Sequence, residues 1–233
     1  MGTFYSPPII HDKLVFCVDA ENRKSYSGSG TTWKDIASNT DNVDFHSTTL
    51  HSSGKYFTLS SGYIRWTDIA PKIAGQGDGT ISMWWSNSTG AGNDSIINTG
   101  DFSTNWNLQK MSIMWNHTTS KLSVHCYADS TTAVITGDFG NALSTNTLYN
   151  IVWSSTGHLY VNGSLHADLS NTWWFDNMTG HDYFMFGAPA LNNGVYGDQR
   201  ASGKLYNITI HNKAFSASEV LQNFNAQRRR FGV

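Results

Sequence analysis

Chemistry in this chain would have to come from its carboxylates, imidazoles and thiols, and it is sparing with all three. Among 17 acidic residues only two are glutamates, Glu21 and Glu219. A retaining glycosidase needs two carboxyls roughly 5–5.5 Å apart. Glu219 closes the stretch Ser216-Ala217-Ser218-Glu219, a capping box at a helix start, and Glu21 is not read as half of a catalytic pair. The aspartates offer no pair two or four apart within a clear strand pattern. The nine histidines show no His-x-x-x-His or Cys/His spacing, and nothing resembles a nucleophile elbow. Cys17 in "LVFCV" and Cys126 in "LSVHCYA" read as buried, reduced thiols in strands. These residues point away from an enzyme.

Aromatic and small polar side chains remain. "NTWWFDNMTG" carries Trp173, Trp174, Asp176 and Asn177 without strand period. Adjacent tryptophans in a loop do not easily both point inward, so one is a candidate for stacking on a sugar ring or another protein. The competing expectation is core packing under a long loop. Trp106 in "STNWNLQ" carries the same two readings. Near the start, Phe4, Tyr5, Ile9 and Ile10 surround Pro7 and Pro8, which stiffen an extended arm over residues 1–13. So apolar an arm is expected to lie on a neighbouring subunit; the alternative is that it folds back as an edge strand on its own domain.

Composition says what must position these groups. Charged residues make up 14% of 233, against roughly 25% in ordinary globular proteins, and aromatics 13%. A formal net charge of −2 argues against nucleic acid, which calls for a concentrated basic surface. The one dense basic run, Arg228-Arg229-Arg230, suits a helix C-terminus. No apolar stretch approaches the ~20 residues of a membrane span, and the first residues lack the layout of a signal peptide. Gly2 and Ser6 match a myristoylation pattern too short to outweigh an ordinary arm.

Strand-like runs bounded by turn clusters fill most of the chain. "GTISMWWSN" places Ile81, Met83 and Trp85 on one face. "KMSIMWN" and "KLSVHCYA" flank "HTTS" as a hairpin. "LYNIVWSS" and "HLYVNGSL" form another, and Asn162-Gly163 is a two-residue turn. Helix is confined to about residues 215–230, where Val220, Leu221 and Phe224 share a side. The expectation is an all-β, two-sheet antiparallel sandwich over residues 14–233, closed by one short C-terminal helix across an edge or end. Trp85, Ile113, Trp115, Val124, Ile151, Trp153, Val161, Phe186, Ile208 and Ile210 should fill its core.

The order of these signals resembles laminin-G-like members of the concanavalin A-like lectin/glucanase superfamily. "GTISMWWSN" is similar to an opening strand and "LYNIVWSSTGHLYVNGSL" to the paired strands. "FMFGAPALNNGVYGDQRASGKLYNITIHNKAFSASEV" is similar to the close. The resemblance covers roughly residues 14–224 and implies a jelly roll. It leaves out the arm and the stretch from Trp66 to Gly79. The glucanase branch implies glutamates in an E-x-D-x-E strand pattern, which this chain lacks. The laminin-G-like branch implies that a Ca²⁺ site is possible, with Asp176, Asp182 and Asp198 as candidate oxygen ligands; the alternative is no cofactor and structural turns. "LVFCVDAENRKSYSGSGTTWKDI" and "AFSASEVLQNFNAQRRRFG" resemble single-domain structural proteins of tailed bacteriophages, cyanophages in particular. That implies a non-enzymatic virion subunit: a capsid decoration or a tail- or neck-associated module on the virion surface. Its partners would be other virion proteins and copies of itself. A glycan-binding adhesin on host surface sugars is the alternative.

Overall fold

Runs with a two-residue apolar period fold as strands, and these assemble into two antiparallel sheets of eight. The computed structural model describes residues 7–30, 32–37, 42–46, 49–50, 55–60, 62–66, 70–100, 110–129, 131–178, 183–189 and 199–233. Across the first sheet the order is β14 (Ser164–Asp168), β13 (His158–Val161), β12 (Leu148–Ser154), β7 (Thr80–Asn87), β16 (Ser202–His211), β5 (Phe57–Ser60) and β4 (Thr49–Leu50). β1 (Leu14–Asp19) pairs with the half of β16 that β5 leaves free. Across the second sheet run β11 (Ala133–Phe139), β10 (Lys121–Tyr127), β9 (Lys110–Asn116), β8 (Asn93–Gly100), β15 (Tyr183–Phe186), β6 (Tyr63–Trp66), β3 (Asn42–His46) and β2 (Thr32–Lys34). A four-residue α1 (Ala70–Ile73), a 3₁₀ turn at Phe175–Asn177 and α2 (Ala217–Phe231) complete the described elements.

All ten side chains expected in the core are buried in one cluster between the sheets. The register behind that expectation holds: Ile113 pairs with Val124 in the β9–β10 hairpin, and Ile151 with Val161 in β12–β13. Asn162 and Gly163 both have positive φ, 50° and 79°, as a primed two-residue turn requires. Several strands carry weak sequence signals. β8 (NDSIINTG) is rich in Asn, Asp, Ser and Gly, all depleted from strands, yet seven of its eight residues are buried. β11 and β14 are sheet edges with mostly half-exposed or exposed residues, so their apolar period is faint.

The helix differs from expectation in position. It does not cap an edge or an end; it covers the outer face of the first sheet. β7 shows why. All eight of its residues are buried, and Trp84 and Trp85 point to opposite faces. Trp85 enters the core. Trp84 points outward, where Phe224 and Phe231 of α2 cover its ring at 5.8 and 4.4 Å between centroids. Val152, Tyr160, Phe215 and Val220 form a second apolar cluster in the same layer. Burying each such side chain contributes roughly 1.5–3 kcal/mol.

Both ends of α2 are tied down. The Ser216 N–H donates to Glu219 Oε2 at 2.9 Å and the Glu219 N–H returns to Ser216 Oγ at 3.3 Å, the expected capping box. Lys213 links Glu219 (2.7 Å) to Asp12 (3.1 Å). At the other end Arg230 is ion-paired with Asp19 and, at 2.8 Å, with Glu21. Asp19 and Glu21 are two residues apart at the end of β1, a carboxylate pair that their shared guanidinium explains.

The same helix takes up the stretch expected to reach a neighbouring subunit. Pro8 O accepts from Gln222 Nε2 (2.9 Å), the Ile10 N–H donates to Asn223 Oδ1 (2.8 Å), and Ile10 packs against the Val152 cluster. Residues 8–13 therefore fold back on their own domain, along α2 and not as an edge strand. Pro7 and Ile9 are exposed; Phe4 and Tyr5 lie outside the described residues. Starting the chain at Asp12 removes the Ile10 contact and both hydrogen bonds. We expect this to lower unfolding free energy by about 1–3 kcal/mol, read from guanidinium denaturation. An unchanged midpoint would show that the stretch adds nothing to the fold.

Candidate functional site

The tryptophan pair resolves into one residue inside and one at the boundary. Trp174 is fully buried, edge-on to Trp153 with centroids 5.7 Å apart, and sits so close to Gly79 that a Cβ there would lie 2.5 Å from its indole nitrogen. It is core and offers no ring to a ligand. Trp173 is half-buried and packs against the same core. Asn177 Oδ1 accepts from the Trp174 N–H at 3.0 Å, and the exposed Asp176 donates its N–H to Gln76 O at 3.2 Å, so both shape the 3₁₀ turn. Trp106, Asp182 and Asp198 lie outside the described residues. Among the described residues no three His, Cys, Asp or Glu side chains converge on a point; of the three candidate calcium ligands only Asp176 is described.

Sequence reasoning passed over the outer face of the second sheet. Its middle is closed: Ser95, Asn98, Ser112, Met114, Tyr183 and Met185 are buried, with Tyr183 Oη donating to Asn98 Oδ1 at 2.7 Å. Towards the β11 edge it opens into a half-exposed stripe. His125 and Tyr127, alternate residues of β10, present near-parallel rings, 6.3 Å apart and 23° from coplanar. Lys110, opposite Tyr127, lies with Nζ 4.8 Å from the centre of that ring. Burial holds the Lys110 ammonium below its usual value. Burial, then the nearby Lys110 charge, lowers the His125 imidazole against the opposing pull of Asp138. A neutral imidazole both donates and accepts; Ser123 Oγ (3.2 Å) and Thr136 Oγ1 (3.4 Å) flank its nitrogens. Asp138 completes the stripe. Burial opposes its charge, but hydrogen bonds from Thr119, Ser123 and Asn116 and the charge of Lys121 outweigh it, leaving the carboxyl below its ordinary value. The polar positions of "KLSVHCYA" showed this face; that two were aromatic rings side by side was the missed signal.

A second cluster lies at a rim of the sandwich. His117 Nε2 is 2.9 Å from Asp94 Oδ2, and both side chains are buried. Asn87 Nδ2 donates to the same oxygen at 3.3 Å, as does the Ser202 N–H at 3.2 Å, while Trp85 Nε1 donates to Asn87 Oδ1 at 3.0 Å. One carboxylate thus joins the ends of β7, β8 and β16 and the β9–β10 turn. Each group is occupied by another, so the arrangement is a strut.

With that geometry in view, comparison with known proteins gives a fold. No protein-family model matches the chain, and no curated protein matches it in sequence. Among solved structures, Trypanosoma rangeli sialidase matches 96% of this chain and 36% of its own, at a TM-score of 0.65 and 13% identity. NanB sialidase from Streptococcus pneumoniae matches 72% of this chain and 27% of its own, at 0.58 and 18%. The CBM40 of Ruminococcus gnavus IT-sialidase matches 65% of this chain and 84% of its own, at 0.55 and 16%. The fold is a two-sheet jelly-roll β-sandwich. The chain spans about a third of the length of the sialidases that it matches, and identities this low speak to fold alone.

Two measurements check the electrostatics of this sandwich. Asp94→Ala leaves His117, Asn87 and the Ser202 N–H short of a buried partner, so unfolding free energy should fall by about 1–3 kcal/mol; a variant as stable as the parent would show the strut to be idle. Burial also holds His125, His166 and His211 below the ordinary imidazole value. The unfolded chain takes up these protons first as pH falls. Stability is therefore complete above about pH 6.5 and is lost as pH drops through the lowered folded values. Urea midpoints should be level from pH 7 to 8 and decline on acidification; a rise would contradict the sign.

Proposed function

We propose that this chain is a non-hydrolytic, glycan-binding β-sandwich module, with the Tyr127–His125–Lys110 stripe as its saccharide face. The observation that carries the proposal is a pair of side-by-side rings with polar neighbours on the outer face of the second sheet. Of the two outer faces, α2 covers the first over β7, β12 and β13, with Tyr56, Tyr206 and Lys204 half-buried beyond it. The other opens, at its β10–β11 edge, onto two side-by-side rings bordered by an ammonium, hydroxyls and a carboxylate. Sugars present flat C–H faces that pack on aromatic rings and hydroxyls that pair with such groups. Support comes also from the fold shared with CBM40, a carbohydrate-binding module by its name. The absence of hydrolysis is argued from the chemistry placed: Asp19 and Glu21 are held by Arg230, Asp94 by His117 and Asn87. The proposed activity needs no cofactor.

A virion structural role rests on the wording of the chain ends alone. Of the arm read as an anchor, residues 1–13, the described part from residue 8 onward is hydrogen-bonded to α2 of the same chain. We place that role second to glycan binding.

A single small stripe implies weak binding per site, made useful by multiple display. On a glycan array, clustered wild-type chains should bind a restricted set of saccharides without releasing reducing sugar. Tyr127→Ala should weaken binding by at least about ten-fold, the order expected when an anchoring aromatic is truncated, with the unfolding midpoint retained. Undiminished binding by the Tyr127→Ala, His125→Ala double variant would remove the stripe as the site. Release of sugar would overturn the non-hydrolytic half of the proposal.

A further inference from the structure

The far edge of the same sheet carries a feature that the saccharide stripe does not explain. Between β1 and β2 the chain loops through "RKSYSGSG" and encloses a hollow of about 220 Å³. Arg23, Lys24 and Lys34 line it together with Ser25, Ser27, Ser29, Gly30 and Thr32; no carboxylate does. In a chain of net charge −2, three cations around one small space run against the average.

The three also stand without carboxylate partners among the described residues. Lys55, Lys72, Lys213 and Arg230 each reach a carboxylate. Among the described residues, Arg23, Lys24 and Lys34 have no such ion pair. Like charges gathered without a counter-charge repel one another, and an anion in their midst relieves that repulsion.

The hollow is also built in advance. The Asp19 N–H donates to Ser25 Oγ at 3.0 Å, and Ser25 Oγ in turn donates to Lys34 O at 2.7 Å. The backbones of Ser25 and Lys34 bond at 2.8 Å. Tyr26, itself buried, donates its hydroxyl to Gly30 O at 3.1 Å and packs edge-on against Phe57. Gly28 and Gly30 have φ of 97° and 93°, and a Cβ on either would meet nothing within 4 Å. These glycines are needed for the path of the loop and not for want of room, and that path wraps the hydroxyls around the cations. Little ordering remains to be done on binding.

We infer that this hollow takes the acidic group of a saccharide, a carboxylate- or sulfate-bearing sugar unit. Its volume lies below the roughly 300–1,000 Å³ of drug-sized pockets, which suits one charged ring. Three cations fix the anion, and the hydroxyls of Ser29 and Thr32 match the hydroxyls beside it, those of Ser25 and Ser27 being taken by the loop itself. The inference rests on the glycan-binding reading and adds a preference for charge.

The test compares a glucuronate-terminated oligosaccharide, its glucose-terminated counterpart and inorganic sulfate, by titration calorimetry at low and high NaCl. Wild type, the Arg23→Gln, Lys24→Gln, Lys34→Gln triple variant and Tyr127→Ala are titrated in parallel. The three cations are exposed, so the triple variant should keep the parent's unfolding midpoint. We expect the acidic sugar to bind at least about ten-fold tighter than the neutral one, as for charge-assisted hydrogen bonds. That margin should shrink with salt and vanish in the triple variant. Tyr127→Ala, at the opposite edge of the sheet, should weaken the neutral sugar and leave the salt-sensitive binding of the acidic one. Equal binding of the two sugars, or a margin that survives in the triple variant, overturns the hollow while leaving the module a lectin. Binding of sulfate with neither sugar reduces the hollow to a simple anion site and removes the glycan reading with it. No binding by any of the three overturns both.

Discussion

Everything in this molecule follows from a central strand that must be dry on both faces. β7 places Trp85 into the gap between the sheets and Trp84 on the opposite side, where a sandwich would ordinarily meet water. The first ring needs a second sheet; the second needs a roof. α2 is that roof, and its position dictates the next layer of detail. A helix seated on a sheet face brings polar groups along with its apolar ones, and burial obliges these to find partners. Asn207 Nδ2 donates to Gln227 Oε1 at 2.9 Å beneath the helix, and Asn150 Nδ2 to Ser82 Oγ and Met83 O at 3.2 Å each. Satisfied networks of this kind make one seating of the helix better than its neighbours.

The roof leaves the two outer surfaces free to specialise. Where α2 commits one face to stability, the second sheet can carry polar and aromatic groups that a core would not tolerate. Both surfaces proposed for ligands lie on the second sheet, at opposite edges. The stripe on β10 is held by strand pairing, and the hollow by hydrogen bonds that tie its loop to β1 and β2. A rigid sheet edge suits recognition, because ring spacing and charge position are set before a ligand arrives.

How much of this could be read from the chain depends on where the period of two survives. It survives in "GTISMWWSN", "KMSIMWN" and "LYNIVWSS", so the core residues and hairpins were legible, as was the capping box through its fixed spacing. It fails in β8, whose Asn, Asp and Ser are buried by contacts made far along the chain; Asp94 meets His117, Asn87 and Ser202 only in three dimensions. The helix was legible as a helix, but its seat was not, because Trp84 was read only as the neighbour of an inward Trp85. The tryptophan loop shows the reverse limit. Its composition marked it as special, and the structure spends Trp174 on the core, using Asn177 and Asp176 to turn the chain. The hollow was visible only as a Ser- and Gly-rich run; that Lys34, on the following strand, faces Arg23 and Lys24 is a consequence of folding.

The pairing of β1 has a consequence in time as well as in space. Its described ladder partner is β16, almost the whole chain later. A ribosome adding roughly 5–20 residues per second needs about 10–40 s to deliver one after the other. Throughout that interval "LVFCV" is an apolar strand with an unpaired edge, the kind of segment that other nascent chains can recruit. Contacts this distant in sequence also slow the closing step itself, since loop entropy must be surrendered before the strands reward it. The fold is therefore decided late, by its last strand, and crowded synthesis is where it is most open to misassembly.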